Sequence, residues 1–294
     1  MPELPEVENV VRSLTHLSED RLIIEKVLKA QEHSIKYNTY DGFVEYVQGY
    51  QILGIKRRGK FILVELFHPT LWERHYMIIH LAMTGVFMHL KDIEVVADLE
   101  PKVANHIFVD LLLSDGTHLI YSDYRRFGSV RVVTEVELTE KGSLSHLKTL
   151  QELGPEPFEP QAFEQFLSRI RKKKYQDKPI KDVLLDQSVI AGAGNIYASE
   201  CLFEPKVYPT TRVDALTDEQ LRGVFDSLVV ILNLSILAGG TSIKDYVNGD
   251  GVAGTFASQL KVYNQTHCGV CNTALDVFYI KNRMTYACPT CQVN

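Results

Sequence analysis

The sequence predicts an α+β chain of several domains: an N-terminal β-sandwich with a helix in front of it, then a helical unit, then a β-hairpin that holds a metal. Three observations predict it. Short alternating apolar runs fill the first 135 positions, helical apolar spacing takes over from Gln161, and four of the five cysteines fall in the last 27 residues.

The chain opens Met1-Pro2-Glu3-Leu4-Pro5-Glu6-Val7-Glu8. Proline near the first helical position and acids in the first turn suit a helix N-terminus. Val7, Val10, Val11, Leu14 and Leu17 then form its apolar stripe. Taken alone, this is only a helix start. The same residues also carry chemistry. Removal of Met1 would leave Pro2 with a secondary amine, a nucleophile able to form an iminium with a sugar aldehyde carbon. An α-amino group titrates at about 8, so part of it is unprotonated near neutrality. Glu3 beside it can move protons.

Strands are expected at Leu22–Val27, Gln51–Ile55, Phe61–Phe67 (Ile62, Val64 and Leu66 on one face) and Met77–Leu81. His106–Leu113 and Thr117–Tyr121 are joined by Ser114-Asp115-Gly116, a hairpin signal, and Val130–Val133 follows. Histidines 75, 80, 106 and 118 in this stretch are expected to satisfy local hydrogen bonds. From Glu135 to Pro160 the chain turns polar and carries the stiff turn Leu153-Gly154-Pro155-Glu156-Pro157. Helices are expected at Ala162–Ile170, Ile180–Leu185 and Ile196–Leu202. A longer one is opened by the capping box Thr217-Asp-Glu-Gln220 and ended by Gly239-Gly240. Asn248–Thr255, with three glycines in eight residues, reads as a mobile loop.

Cys268-Gly-Val-Cys271, sixteen residues, then Cys288-Pro-Thr-Cys291 is the strongest local motif. Two such pairs suit one tetrahedral Zn²⁺ held by two knuckles, with Val277–Ile280 and Met284–Ala287 pairing between them. Four protein ligands leave no open position, so the metal is structural. Cys201 sits on an apolar helix face and reads as core.

The formal net charge of −6 speaks against a nucleic-acid partner only weakly, since binding depends on where charges sit. Lys56-Arg57-Arg58-Gly59-Lys60 and Asp123-Tyr124-Arg125-Arg126-Phe127-Gly128 are basic clusters. So is the stretch holding Arg169, Arg171, Lys172, Lys173, Lys174, Lys178 and Lys181 against Asp177 alone. With Arg283 on the hairpin they suggest a phosphate-lined groove, although each alone is usually a solvated face. Gly192-Ala-Gly194-Asn195 lacks the full dinucleotide spacing and better suits a phosphate approaching backbone N–H groups before a helix. No apolar run reaches the roughly 18 residues of a bilayer span, and no signal peptide is read, so the cytoplasm is the expected location.

The start Pro2-Glu3-Leu4-Pro5-Glu6-Val7-Glu8 and the four-cysteine end together resemble the formamidopyrimidine-DNA glycosylase family. In between the resemblance runs in order through Lys60, His80-Leu81-Ala82-Met83-Thr84-Gly85, Arg125-Arg126-Phe127-Gly128 and Leu153-Gly154-Pro155-Glu156-Pro157. It continues through Gly194-Asn195-Ile196-Tyr197-Ala198-Ser199-Glu200, Gly239-Gly240-Thr241 and Arg283. It implies a bifunctional base-excision enzyme that removes 8-oxoguanine and formamidopyrimidines and nicks the strand by β,δ-elimination. Pro2 would attack C1′, Glu3 would be the general acid/base, Glu6 would support the N-terminal geometry, and Lys60 would contact phosphate near the lesion and assist catalysis. Met83, Arg125 and Phe127 would fill the gap left by the flipped nucleotide; Asn195, Arg283 and Lys181 would hold phosphates. The partner would be double-stranded DNA with a damaged base, met by a monomer without a membrane.

The implied organisation is a catalytic β-sandwich at 1–135, a linker at 136–160, a helix–two-turn–helix DNA-binding domain at 161–245, and a lesion-covering loop with the zinc ribbon at 246–294. The departures are Ala82 where the family usually has Gly, Tyr124 where Pro or Val is more usual, and a loosely matching 248–255 loop. A non-catalytic DNA-structure binder and a preference for oxidised pyrimidines are the rival readings.

Overall fold

A computed structural model of the chain describes residues 2–92, 99–139, 147–243 and 246–292. Met1, on whose removal the amine of Pro2 depends, lies outside the described residues. The chain forms two compact units. The first runs to Gln151 and takes back Gly239–Gly254; the second joins Glu152–Ala238 to Thr255–Asn294.

The first unit is built on two four-stranded sheets. One holds β1 (Ile24–Ala30), β6 (Ile107–Leu113), β7 (His118–Asp123) and β5 (Gly85–Leu90), in that order. The other holds β2 (Gln51–Arg58), β3 (Phe61–His68), β4 (Glu73–His80) and β8 (Ser129–Thr134). Every pairing is antiparallel. Alternation decides which face turns inward. Ile62, Val64 and Leu66 of β3 are fully buried and share one core with Val109, Leu111 and Leu113 of β6. Helix α1 (Leu4–Leu14) closes that core with Val7, Val10, Val11 and Leu14. A helix at Tyr40–Val47 and strand β5 were not foreseen, although Thr39 caps the helix by accepting the Gly42 N–H at 3.1 Å. His75, His106 and His118 each engage a local oxygen, at 3.0, 2.9 and 2.8 Å.

The second unit has helices at Ala162–Ile170, Ile180–Leu184, Asn195–Glu200 and Asp218–Leu237. Thr217 caps the last with a reciprocal Thr–Gln box, as its sequence demands. By length and composition this 20-residue helix could cross a bilayer, which a count of unbroken apolar residues does not register. Its Leu221, Val224, Leu228 and Leu232 are instead buried within the unit. Cys201 is core. Gly154 packs so tightly on Val189 and Ile190 that a Cβ there would lie 2.7 Å from backbone, which fixes the Leu153–Pro157 turn against this unit. Strands β9 (Asp276–Ile280) and β10 (Arg283–Ala287) form the C-terminal hairpin, turning at Lys281-Asn282 with both residues left-handed.

Candidate functional site

At the N-terminus the local sequence builds its own cap. Glu3 precedes α1 and forms a capping box with Glu6: the Glu3 N–H donates to Glu6 Oε2 at 2.8 Å, and the Glu3 side chain takes the Glu6 N–H. Pro2, Glu3 and Glu6 are all buried. The other oxygen of Glu6 accepts the Thr241 N–H at 2.8 Å, and Tyr246 donates its hydroxyl to the Glu6 carbonyl at 3.0 Å. Gly240, Thr241 and Tyr246 therefore clasp the start of α1. Gly240, at φ +94°, has no room for a Cβ between Tyr246 and Glu6.

Glu8 departs from its sequence reading as a plain first-turn acid. Its carboxylate bridges Arg12 at 2.8 Å and the nearly buried Arg57 at 2.9 Å. Burial works against the charge, but the two guanidiniums outweigh it and hold the carboxyl below its ordinary pKa. Arg57 also donates to the Gly59 carbonyl at 3.1 Å. Glu8 is thereby tied to the β2–β3 turn that presents Lys60. Across the β3–β4 pair the His80 ring packs against Phe61 at a tilt of 36°, ring centroids 4.8 Å apart. Burial, then the Lys60 charge, push its imidazole down to about 4.

Met83 and the Arg125/Phe127 pair sit on two turns, after β4 and after β7. In the first, Ala82 is left-handed at φ +50°. In the second, Arg126 is left-handed at φ +58°, and the Arg125 guanidinium lies 4.8 Å over the exposed Phe127 ring. The buried Asp123 carboxylate contacts both turns.

In the second unit Asn195, Lys181 and the hairpin meet at one carbonyl. Met284 O accepts Asn195 Nδ2 at 2.9 Å and Lys181 Nζ at 3.3 Å. Asn195 Oδ1 is buried without a hydrogen-bond partner. Lys181, expected at a phosphate, is fully buried, and its ammonium also donates to Thr285 Oγ1 at 2.8 Å. It holds the hairpin beside Arg283 and presents no charge to solvent. The neighbouring basic stretch is similarly dispersed. Arg171 pairs with Asp218 and caps two carbonyls, and Arg169 donates to the Ser188 carbonyl. Lys172, Lys173 and Lys174 remain exposed. A cleft of about 260 Å³ beside them is lined by Lys178, Asp182, Lys281 and Arg283 among others.

The four hairpin cysteines converge, with all sulfurs within 4.8 Å of one another. Cys268 and Cys291 Sγ lie 3.9 Å apart, and Cys271 and Cys288 Sγ 3.5 Å. Sulfurs about 2.3 Å from one tetrahedral ion would be about 3.8 Å apart, so the set fits a metal. Knuckle N–H groups of Val270 and Cys291 point at Cys268 and Cys288 sulfur, the expected support for thiolates.

Known proteins agree with this layout. The formamidopyrimidine-DNA glycosylase N-terminal domain matches residues 1–130, and that family's H2TH domain matches residues 153–247. A formamidopyrimidine-DNA glycosylase of Bacillus cereus is 36% identical, with 99% of each chain aligned. The Listeria innocua protein of that name is 33% identical over 99% of this chain and 100% of its own. The chain belongs to the formamidopyrimidine-DNA glycosylase family. It is a DNA glycosylase of base-excision repair, and damaged double-stranded DNA is its partner. Among solved structures, the Thermus thermophilus family member superposes with a TM-score of 0.79 at 31% identity, covering 99% of this chain and 98% of that one. A Lactococcus lactis Fpg bound to Fapy-dG-containing DNA gives 0.81 at 28% identity, covering 99% and 100%. The wild-type Lactococcus lactis enzyme with oxidised-pyrimidine DNA gives 0.82 at 28%, covering 100% of both chains.

Against the family pattern, Ala82 now has a physical meaning: the position is left-handed, where Gly is free of strain. The loop at Asn248–Thr255, read from sequence as mobile, takes a defined turn. Asn248 Oδ1 accepts the N–H groups of Asp250 and Val252, at 3.0 and 2.8 Å, and Ser13 Oγ holds Gly249 at 2.9 Å. Sequence reasoning also missed Glu200. It is buried, and its carboxylate accepts three consecutive N–H groups, from Lys261 to Tyr263, at 2.6 to 2.9 Å. An acid ending a short helix whose Ile196, Tyr197 and Ala198 are apolar is the one signal that pointed to it.

Proposed function

We propose that this glycosylase removes oxidised purines, 8-oxoguanine and formamidopyrimidines, through a Schiff base on Pro2, and then nicks the strand. The observation that carries this is the buried Pro2-Glu3-Glu6 start, where the chain's own capping box fixes the residue bearing the amine. Once Met1 is gone, the unprotonated Pro2 nitrogen attacks C1′. The C1′–N bond to the base breaks, and the base leaves with a proton. The proline nitrogen then gives up its proton, the C1′–O4′ bond opens with O4′ taking one, and the resulting iminium acidifies C2′–H. Loss of that proton expels the 3′ phosphate, and a second elimination expels the 5′ phosphate. Glu3 carries the protons, Glu6 holds the start of α1, and Lys60 binds phosphate near the sugar.

A base inside a duplex must first be turned out, at a cost of a few kcal/mol. Met83 and Phe127 fill the space it leaves, and Arg125 bonds the orphaned partner base. Asn195 and Arg283 grip the backbone phosphates, with Lys181 as the internal strut of that clamp. We assign one structural Zn²⁺ to Cys268, Cys271, Cys288 and Cys291: thiolate ligands in a closed tetrahedral set favour it. A monomer working on chromosomal DNA in the cytoplasm is part of this reading. The relative solved with oxidised-pyrimidine DNA makes that lesion class the comparison substrate.

Borohydride trapping on a duplex with one 8-oxoguanine tests the proposal. Met1-processed protein should form a covalent adduct, and Glu3→Gln should bind equally well yet stall. Absence of an adduct from the processed wild type would overturn the assignment of Pro2.

A further inference from the structure

We propose that Asp123 is the positioning residue that locks the Met83 turn to the Arg125–Phe127 turn, so that the three side chains enter a duplex as one body. This rests on the wedge reading given above. Asp123 ends β7 and is only 1% exposed. Its Oδ1 accepts the Thr84 hydroxyl at 2.5 Å and the Arg125 N–H at 3.3 Å. Its Oδ2 accepts the Gly128 N–H at 2.8 Å and the Tyr121 hydroxyl at 3.3 Å. Thr84 directly follows Met83, and Gly128 directly follows Phe127. One carboxylate thus reaches the residue next to each wedge.

Neither turn needs Asp123's carboxylate to close. The Gly85 N–H donates to the Leu81 carbonyl at 2.8 Å, and the Arg126 N–H donates to the Asp123 main-chain carbonyl at 3.0 Å. What the side chain adds is the link from one turn to the other. The two turns leave the same place in one sheet, because Gly85 of β5 pairs with Asp123 of β7. The approach is close. A Cβ on Gly128, at the end of the second turn, would lie 2.4 Å from the carbonyl oxygen of His80, where the first turn leaves β4.

The residue type follows from the donor count. A buried carboxylate is costly unless its lone pairs are matched. Here four donors surround two oxygens, and only a side chain that accepts without donating can serve them all. The function follows from entropy. Two independently mobile wedges would each lose freedom on insertion, whereas linked wedges lose it once, before DNA arrives.

The test compares two substrates. Wedges matter only where a base pair must be opened; Schiff-base chemistry on a preformed abasic site in single-stranded DNA does not need them. Asp123→Asn and the nearly isosteric Thr84→Val should each lower kcat/KM on duplex 8-oxoguanine about tenfold or more. Borohydride trapping on the single-stranded abasic site should stay within about twofold of wild type. The rise in fluorescence of 2-aminopurine placed opposite the lesion should shrink in step with the duplex loss, and Thr84→Ser should restore both. Should Asp123→Asn fail to fold, Thr84→Val carries the test alone. Equal losses on both substrates, or no loss on the duplex, would overturn the proposal. Met83→Ala and Phe127→Ala separate its failure from that of the wedge reading. If they lower the duplex signal and Thr84→Val does not, the link is wrong; if they too leave it unchanged, the wedges are wrong and the link falls with them.

Discussion

The hairpin of the second unit and the paired turns of the first both hold exposed or half-buried side chains in place, by different means. Arg283 stands on a two-stranded ribbon with a small core of its own, Phe203, Val262 and Tyr286 around Cys268 and Cys288. Four cysteine sulfurs placed to share an ion complete that core. Met83 and Phe127 stand on turns of a large sandwich, and hydrogen bonds to a single carboxylate suffice there. The difference teaches where a metal is needed: a small ribbon buries too little apolar surface to order itself, whereas a turn on a full core needs only its polar groups matched.

The largest effect should come from breaking the first arrangement. Chelation, or Cys288→Ser, should remove the proposed ion, which contributes on the order of 10 kcal/mol to such a fold. DNA affinity should fall by about a hundredfold, close to 3 kcal/mol, as Arg283 loses its platform. Circular dichroism of the sandwich should barely change. Unchanged DNA affinity in metal-free protein would show that the hairpin holds itself.

Within the same region two cations can be told apart. Arg283→Ala should reduce the slope of log affinity against log salt by about one, as expected for one lost phosphate contact. Lys181→Met should leave the slope alone, because that ammonium is spent on Met284 O and Thr285 Oγ1. It should instead lower the stability of the second unit by about 1–3 kcal/mol, read in urea melts. Equal slope changes for the two variants would mean that Lys181 leaves its pocket to reach DNA.

These residues also mark what sequence could and could not supply. The cysteine spacing, the Thr217 capping box and the alternation of Ile62, Val64 and Leu66 are local patterns, and each produced the element expected of it. Strand β5 (Gly-Val-Phe-Met-His-Leu) has no clean alternation, being buried along nearly its whole length, so it was passed over. The basic stretch at 169–181 misled for the opposite reason. Charge is visible in a sequence but burial is not, and Lys181 proved to be a buried fastener and Arg171 a half-buried one. Asp123, Glu8 and Glu200 act on partners far away in the chain or through backbone groups, which no spacing rule registers.

The sandwich side of the comparison should be the one that acid loosens through His80. Its pKa is about 4 in the fold, against an ordinary 6.5. Below pH 6.5 the unfolded chain takes up a proton that the folded chain refuses, so stability falls as pH drops and levels off below about 4. Two to three pH units at 1.36 kcal/mol each make this roughly 3 kcal/mol. His80→Gln should flatten that part of the pH–stability curve of the sandwich. A curve as steep as wild type would place the acid sensitivity elsewhere.

The smallest expected effect probes the Met83 turn itself. Ala82 is held at φ +50°, a conformation that costs a non-glycine L-residue roughly 1–2 kcal/mol. Glycine removes that strain but adds freedom to the unfolded chain, which takes back about 0.4–1 kcal/mol. Ala82→Gly should therefore stabilise the sandwich by at most about 1.6 kcal/mol, a rise of no more than a few °C in Tm by calorimetry. Excision on duplex DNA should hardly move, because the Asp123–Thr84 bond rather than residue 82 fixes the turn against its neighbour. A lower Tm would show that the alanine methyl packs favourably enough to outweigh its backbone strain. A large loss of excision with Tm unchanged would shift the control of Met83 from the carboxylate to the left-handed residue beside it.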